Sequence, residues 1–379
     1  METIFRQIKD EYLKADDNGK RQIQDYVREL QVSFYSDWDV VMRLSSGPLQ
    51  VALAKVAIDL GIFRILKESE SPVTLAQLVV KTGAAPRLLG RILRTQAAFG
   101  LIKETAPQEY TSSAFTDVLV NPDAAGAIAQ LFDISGPCTQ SLPDYLAERR
   151  YQNIASTKDC VFQKAFNTDM ALFDWMSHHP KHLQSLGHLM ALQRPAVWVD
   201  HFPVLEELGN FPAADKTLMV DIGGGFGQQS KALRAKLPDT PGRIFVQDIA
   251  QTLDAAAPAE GIQFVEHDFF EPQPVQGAKF YYLRHVLHDW PDEQCVRILR
   301  QLVPALGPHS RILIDEVVIP AAGVPWQAAF MDLLMMDSLG GIERTRAEWD
   351  KLMEQAGLKI LHTYLYGDKG QVIMVVVPK

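Results

Sequence analysis

The chain has 379 residues, of which 47% are hydrophobic, and a formal net charge of −9 at pH 7. This length exceeds what one ordinary hydrophobic core covers, so we expect two domains. The acidic balance repels phosphate backbones and argues against a nucleic-acid partner. No segment approaches the roughly 18 consecutive apolar residues of a membrane span, and no signal peptide is visible, so we expect a soluble protein without membrane association.

Cysteine usage indicates the compartment. The three cysteines, Cys138, Cys160 and Cys295, are scattered, odd in number and without C-x-x-C spacing. Neither a disulfide framework nor a zinc site is therefore expected. A reducing, cytoplasmic setting fits best.

The N-terminal third predicts helices followed by a winged helix. Residues 1–45 carry apolar side chains at helical spacing, which predicts amphipathic helices that pack on the chain itself or on a partner. Residues 49–66 are apolar on most faces and predict one buried helix. Thr74 is expected to cap the next helix and Gly83 to end it, before a further helix over 88–101 and a short hairpin. Because the second helix lacks a basic stripe, we expect dimer contacts rather than DNA binding.

The rest of the chain changes from helices to alternating strands and helices. Residues 120–210 are mostly helical and rich in large apolar side chains, which either line a substrate pocket or pack as core. Beyond Leu218 the alternation predicts a parallel sheet with crossover helices, closed by an antiparallel hairpin. We read its strands at 218–222, 243–248, 262–267, 279–284, 311–317, 359–366 and 371–377. The predicted domains are 1–120 for dimerisation, 121–210 as a helical connecting and substrate-lining segment, and 211–379 for the cofactor.

A glycine-rich turn follows the first predicted strand. Residues 221–227 have the order acid-x-Gly-Gly-Gly-x-Gly, and a helix begins after them, so a ligand can lie against backbone amides. A dinucleotide fingerprint starting at Gly223 would need glycine where Gln228 stands, which weakens a nicotinamide site. The turn resembles the cofactor loop of class I S-adenosylmethionine methyltransferases. An acid at 221 suits a cofactor that carries an ammonium and a sulfonium group.

Two further acids stand at the ends of the next strands. Asp248 ends the second strand, where its carboxylate can accept both hydroxyls of a ribose. Asp268 follows the third strand, where it can contact an adenine amino group while Phe269 covers the ring face. Three acids at successive strand ends predict a nucleoside cofactor at this edge of the sheet.

A histidine follows the fourth strand. His288 lies in the run Arg284-His285-Val286-Leu287-His288-Asp289-Trp290-Pro291-Asp292. Two later segments bring Glu316 and Glu343 to the same edge, and a carboxylate bonded to one imidazole nitrogen raises the basicity of the other. These residues predict a general base.

Four segments together resemble the plant caffeate-type and fungal secondary-metabolite O-methyltransferases. They are the glycine turn, His288-Asp289-Trp290-Pro291-Asp292, Asp315-Glu316-Val317 with Pro320, and Gly340-Gly341-Ile342-Glu343-Arg344-Thr345. The resemblance covers the chain from about Leu49 to its end. It implies a class I methyltransferase fold, an α/β Rossmann-like doubly wound sheet with an N-terminal helical winged-helix domain that forms a homodimer. It also implies S-adenosyl-L-methionine as the cofactor.

The resemblance also assigns roles by position. His288 matches the catalytic base, with Glu316 and Glu343 as its flanking carboxylates. The implied cofactor contacts are Asp221, Gly223, Gly225, Asp248, Asp268, Phe269, Arg284 and Trp290, with Arg284 in the place of a family lysine. Our candidates for the substrate site are Phe166, Met170, Phe173, Trp175, Asp289, Met335 and Ser338. Ser338 stands where the plant enzymes carry an asparagine, which argues against phenylpropanoid substrates. No acidic metal triad is visible, in keeping with a metal-independent class.

Methyl transfer is the activity that these residues predict. His288 would remove the proton as the substrate oxygen attacks, with Glu316 or Glu343 stabilising the imidazolium. Asp289 either orients the substrate or caps the helix that starts at Pro291, and we favour the cap. The expected substrate is a hydroxyl of a small aromatic or polyketide-like secondary metabolite. The alternative is a pericyclase or dehydratase of the same fold, which binds S-adenosylmethionine without moving its methyl group.

Overall fold

A computed structural model describes residues 2–193, 198–212, 216–254, 256–366 and 370–379. The helices are α1 Glu2–Lys14, α2 Asp17–Ser33, α3 Asp37–Ser45, α4 Gly47–Asp59, α5 Ile62–Lys67, α6 Leu75–Thr82, α7 Pro86–Ala98, α8 Ala114–Leu119, α9 Pro122–Gln130, α10 Gly136–Glu148, α11 Val161–Phe166, α12 Leu172–Ser177, α13 Pro180–Gln193, α14 Trp198–His201, α15 Val204–Leu208, α16 Gln228–Lys236, α17 Ala250–Leu253, α18 Asp292–Leu302, α19 Trp326–Leu339 and α20 Arg346–Gln355. The strands are β1 Val73–Thr74, β2 Lys103–Ala106, β3 Glu109–Thr111, β4 Thr217–Ile222, β5 Arg243–Asp248, β6 Ile262–Glu266, β7 Phe280–Arg284, β8 Arg311–Ile319, β9 Arg344–Thr345, β10 Leu358–Leu365 and β11 Gln371–Pro378.

The chain forms two compact units. The first comprises residues 1–140 and 176–195, and the second comprises 141–175 and 196–379. None of the helices in the described part of the chain is both long and apolar enough to cross a membrane.

The first unit contains the predicted winged helix. Strands β1, β3 and β2 form a small antiparallel sheet. The Thr74 hydroxyl accepts a bond from the Gln77 N–H at the start of α6, and Gly83 ends that helix with a positive φ of 70°. Both predicted boundaries of α6 are thus confirmed. Apolar side chains of the helices in this unit form one hydrophobic core.

The expectation of a single buried helix over 49–66 is wrong. Helix α4 ends at Asp59 and α5 begins at Ile62, because Gly61 between them has a φ of 67°, a left-handed conformation that ends a helix. Leu49 is half-exposed, so burial begins further along α4.

The second unit is built on a mixed sheet. Its strand order is β10-β11-β8-β7-β4-β5-β6, with β9 paired to β8. Strands β4, β5, β6, β7 and β8 run parallel, while β10 and β11 form an antiparallel hairpin. The seven predicted strands of the sheet and the closing hairpin are confirmed. Strands β5 and β6 lie on one side of β4, and β7 and β8 lie on the other. Ligands of such sheets bind outside the carboxyl ends at this point, where the strand order reverses. All six residues of β4 are buried, as expected for the central strand of a covered sheet.

Candidate active site

The glycine turn after β4 leaves room for a ligand against the backbone. Gly223, Gly225 and Gly227 all have positive φ values, of 65°, 57° and 73°. A Cβ on Gly223 would lie 2.9 Å from Val286 Cγ2, so no side chain fits there. A Cβ on Gly225 would meet nothing within 4 Å, so the turn is open on that side. Gly223 thus allows close packing against Val286, and Gly225 leaves space for a ligand.

Asp221 stabilises this turn from its buried side. Its carboxylate is buried and accepts a hydrogen bond of 2.8 Å from the Ser230 hydroxyl on α16. A Cβ on Gly224 would lie 2.7 Å from Asp221 Cγ, so the turn wraps tightly around the carboxylate. Sequence reasoning missed Ser230, because nothing in the linear pattern pairs these two side chains.

Asp248 and Asp268, the second and third acids, accept hydrogen bonds from backbone amides. Asp248 at the end of β5 accepts a bond of 2.9 Å from the Gly225 N–H and one of 2.8 Å from the Ile249 N–H. Asp268 lies just beyond β6, is exposed, and accepts a bond of 2.9 Å from the Phe270 N–H. Asp248 therefore links the glycine turn to the neighbouring strand, and both carboxylates lie at the carboxyl edge of the sheet.

Aromatic rings border the same edge. The Phe269 and Trp290 rings meet edge to face at 5.8 Å, and Phe269 Cε1 would lie 3.8 Å from a Cβ on Gly223. Phe270 also contacts Trp290 at 4.8 Å. The structure therefore places Phe269 next to the glycine turn and Trp290 against Phe269.

Arg284 ends β7 in a buried polar network. Its Nη1 donates a bond of 2.9 Å to Gln229 Oε1 and lies 3.6 Å from Asp315 Oδ2. The Tyr282 and Tyr366 hydroxyls also donate to Asp315, each at 2.5 Å. Asp315 thus balances the charge of Arg284 and anchors it to the sheet.

These residues fit a nucleoside cofactor. The open side of Gly225, the partly exposed Asp248 carboxylate and the Phe269 ring lie along one edge, with a hydrogen-bond acceptor for hydroxyls and a flat apolar face for a base.

His288 lies in a short turn after β7 and is buried. Its Nδ1 lies 2.7 Å from Glu343 Oε1, within hydrogen-bonding distance. Glu343 lies just before β9, and its own N–H donates to Asp332 on α19. A carboxylate on Nδ1 leaves Nε2 as the nitrogen that can accept a proton.

Glu316 supports the same turn in a different way. Its Oε1 accepts hydrogen bonds from the N–H groups of Val286, Leu287 and His288, at 3.1, 2.9 and 3.3 Å. Its Oε2 lies 3.9 Å from His288 Nδ1. Of the two carboxylates that the sequence left equivalent, Glu343 contacts the imidazole directly and Glu316 holds its backbone.

The surroundings of His288 favour its charged form. Burial lowers the pKa of the imidazole, but the negative charges of Glu316, Glu343 and Asp289 outweigh it and raise that pKa to about 10. Burial also raises the pKa of Glu316. The imidazolium is therefore much better stabilised here than in water.

Asp289 is not the cap of the following helix. The N-cap of α18 is Pro291, so the favoured interpretation of Asp289 is wrong. Its Oδ1 lies instead 3.4 Å from His288 Nε2. The carboxylate therefore lies on the side of the imidazole from which a substrate proton would come.

The predicted substrate residues fall into two groups. Phe166 and Trp175 lie at 5.0 Å from each other and contact buried Phe162, while Met170 and Phe173 are partly buried close by in the sequence. Met335 and Ser338 belong to α19, which packs against α11. The Ser338 hydroxyl donates to Asp337 at 2.6 Å. Burial of Asp337 raises the pKa of its carboxyl to about 7, and sequence reasoning missed this residue.

His285 is another residue that the sequence did not single out. It has a φ of 49°, rare for a residue other than glycine, and its Nδ1 lies 3.7 Å from Glu316 Oε2. His285, His288 and Glu316 could together hold a metal ion by distance. His288 Nδ1 already contacts Glu343, so a metal bound through that nitrogen would have to displace the contact.

Comparisons with known proteins agree with this geometry. Residues 141–359 match the model of the O-methyltransferase domain, and residues 42–122 match that of the O-methyltransferase dimerisation domain. A demethylsterigmatocystin 6-O-methyltransferase of Aspergillus flavus is 76% identical over 379 residues, which cover 100% of this chain and 98% of that protein.

Two solved structures share the whole fold. One is titled as LepI in complex with SAM and the other as a pericyclic reaction enzyme. Each has a TM-score of 0.94 and 38% identity, and the match covers 100% of this chain and 98% of the other. The chain therefore belongs to the O-methyltransferase family, and it is an S-adenosylmethionine-dependent O-methyltransferase with the class I methyltransferase fold.

Proposed function

We propose that the enzyme methylates the 6-hydroxyl of demethylsterigmatocystin. The identity of 76% over the whole chain to an enzyme of that name supports this substrate. The observation that carries the chemistry is the contact of 2.7 Å between His288 Nδ1 and Glu343, with Asp289 on the Nε2 side. A base held in this way suits a hydroxyl nucleophile.

His288 Nε2 accepts the proton of the substrate hydroxyl as its oxygen attacks. When bound, S-adenosylmethionine supplies the electrophilic methyl group. For an ordinary imidazole, full proton transfer from a phenol costs about 4.8 kcal/mol, because the two pKa values of about 6.5 and 10 differ by about 3.5. Once the imidazole is neutral, its raised pKa of about 10 removes most of this difference. Glu343 stabilises the charge that the imidazole acquires.

The remaining site residues have proposed roles by position. Asp248 accepts the ribose hydroxyls, Asp268 and Phe269 contact the adenine, and Asp221, Gly223, Gly225, Arg284 and Trp290 complete the cofactor site. Phe166, Met170, Phe173, Trp175, Met335 and Ser338 line the substrate site. Asp289 orients the substrate hydroxyl toward His288, as its position 3.4 Å from Nε2 supports.

Methyl transfer by the purified chain tests this proposal. We expect demethylsterigmatocystin and S-adenosylmethionine to give a product one CH₂ heavier, together with S-adenosylhomocysteine, by mass spectrometry. His288→Ala should lower kcat by about 10²- to 10⁴-fold, the usual contribution of a general base, and leave cofactor affinity by calorimetry unchanged. His309→Ala, at an exposed histidine, is the matched control. An undiminished rate in His288→Ala would remove the base assignment.

A reaction without methyl transfer is the second candidate. The solved structure titled as a pericyclic reaction enzyme favours it, with a TM-score of 0.94 at 38% identity. The identity of 76% to a methyltransferase and the assembled His288–Glu343 pair favour methyl transfer. The two activities differ in their products, because S-adenosylhomocysteine accumulates only if a methyl group moves.

We further propose that the chain acts as a homodimer in the cytoplasm, without a nucleic-acid partner. Helices α1 and α3 contain no buried residue, and they expose large apolar side chains such as Phe5 and Trp38 that a second copy would cover. In this arrangement residues 1–120 form the dimer, 121–210 line the substrate and 211–379 hold the cofactor. Light scattering after gel filtration should give twice the chain mass of 42.4 kDa.

A further inference from the structure

Arg344 lies directly after Glu343 and is almost completely buried, with 1% of its surface exposed. Its Nη1 donates to the Leu287 carbonyl at 3.0 Å, and its Nη2 donates to the Trp290 carbonyl at 2.8 Å. Leu287 and Trp290 flank His288 and Asp289 in the sequence. One guanidinium therefore holds both ends of the turn that carries the base.

The same side chain also reaches the segment that carries Glu343. Nη1 donates to the Ile342 carbonyl at 3.2 Å, one residue before Glu343. The Ile342 N–H also donates a hydrogen bond of 2.9 Å to the His288 carbonyl. His288 and Glu343 are 55 positions apart in the sequence. These hydrogen bonds connect the two segments within one residue of His288 and of Glu343.

Arg344 is itself firmly anchored. Its Nε donates to Asp292 at 2.9 Å, and its Cζ lies 5.3 Å from the centre of the Trp349 ring. In the sheet, Arg344 lies beside Val318 on β8, the strand that carries Glu316. Only a guanidinium offers several donors in a rigid planar fork, which is what two carbonyls on one turn require.

We propose that Arg344 is a positioning residue that sets the Nδ1-to-Oε1 distance between His288 and Glu343, a role that rests on the proposed function. It touches neither the substrate nor the reacting atoms. Its loss should affect catalysis, because displacing a catalytic base by about 1 Å can lower the rate about 10²-fold. Loss of Arg344 should therefore lower kcat by a larger factor than it changes the KM for S-adenosylmethionine.

The test uses Arg344→Met, Arg344→Lys and the matched control Arg346→Met in the full chain. Arg346 is a half-exposed arginine two residues on that pairs with Asp350 on the surface. We expect Arg344→Met to lower kcat about 10²-fold, Arg344→Lys to lower it less because an ammonium replaces only part of the fork, and Arg346→Met to leave it unchanged. Wild-type kcat in Arg344→Met would overturn the proposal.

A spectroscopic measurement separates this inference from the choice of substrate. With imidazole-¹⁵N histidine, the Nδ1–H of His288 bonded to Glu343 should give a strongly downfield proton signal that His288→Ala removes. We expect Arg344→Met to broaden or shift that signal and Arg346→Met to preserve it. If Arg344→Met does not fold, Arg344→Lys provides the same comparison, and a wild-type signal in Arg344→Lys overturns the proposal. Failure of the wild type to methylate demethylsterigmatocystin would overturn the substrate alone.

Discussion

The cofactor edge and the base turn lie at the same end of the sheet but are built differently. At the cofactor edge, Asp248 and Asp268 accept bonds from backbone amides and keep part of their surface exposed. At the base turn, His288, Glu316 and Glu343 come from three distant segments and are all buried. Asp248 and Asp268 can therefore meet a cofactor at the surface, whereas the base and its two carboxylates are enclosed within the fold. We expect cofactor affinity and catalytic rate to respond to separate sets of substitutions.

The largest separation should come from Glu343→Gln. The amide keeps the size of the side chain but removes the charge that stabilises the imidazolium, so we expect the rate on the alkaline plateau of the pH profile to fall by about 10²-fold or more. Cofactor affinity by calorimetry should stay as in the wild type. Glu354→Gln, at an exposed carboxylate paired with Lys379, is the control. A matching loss of cofactor affinity in Glu343→Gln would contradict the separation.

Asp248→Ala should give the opposite pattern with a smaller effect. Removing the carboxylate loses charge-assisted bonds to the ribose, each worth about 1.5–3 kcal/mol, so the Kd for S-adenosylmethionine should rise about 10- to 10²-fold. The kcat at saturating cofactor should change little. Asp254→Ala, on an exposed residue of the same segment, is the matched control. Unchanged affinity in Asp248→Ala would remove it from the ribose site.

The pH dependence gives the finest test. Only neutral His288 can accept a proton, and its pKa is raised to about 10, so the log of kcat/KM should rise with pH with a slope of about one through the neutral range. Glu343→Gln removes one of the charges that raise this pKa. Its profile should therefore level off at lower pH than that of the wild type. Identical profiles would show that another group controls the rate.

The sequence could predict the cofactor edge better than the base turn for a physical reason. Asp221 and Asp248 end strands that have a clear apolar pattern, so strand order alone brings them together. The division of labour between Glu316 and Glu343 depends on side-chain directions across paired strands, which no linear spacing encodes. The role of Asp289 was equally hard to predict from the sequence, because an acid next to a helix start matches the pattern of a cap whatever the direction of its side chain. Gly61 could have been recognised as a helix end, since an isolated glycine between two apolar runs is a common stop signal.

The charge balance around His288 also affects how stable the protein is. The pKa of His288 in the folded state, about 10, lies above the value of about 6.5 expected in the unfolded chain. This difference stabilises the fold fully below pH about 6.5, and the stabilisation is lost as pH rises through about 10. Deprotonation therefore activates the base and weakens the fold together. The free energy of unfolding should therefore fall as pH rises toward about 10, which denaturation measured at a series of pH values would show.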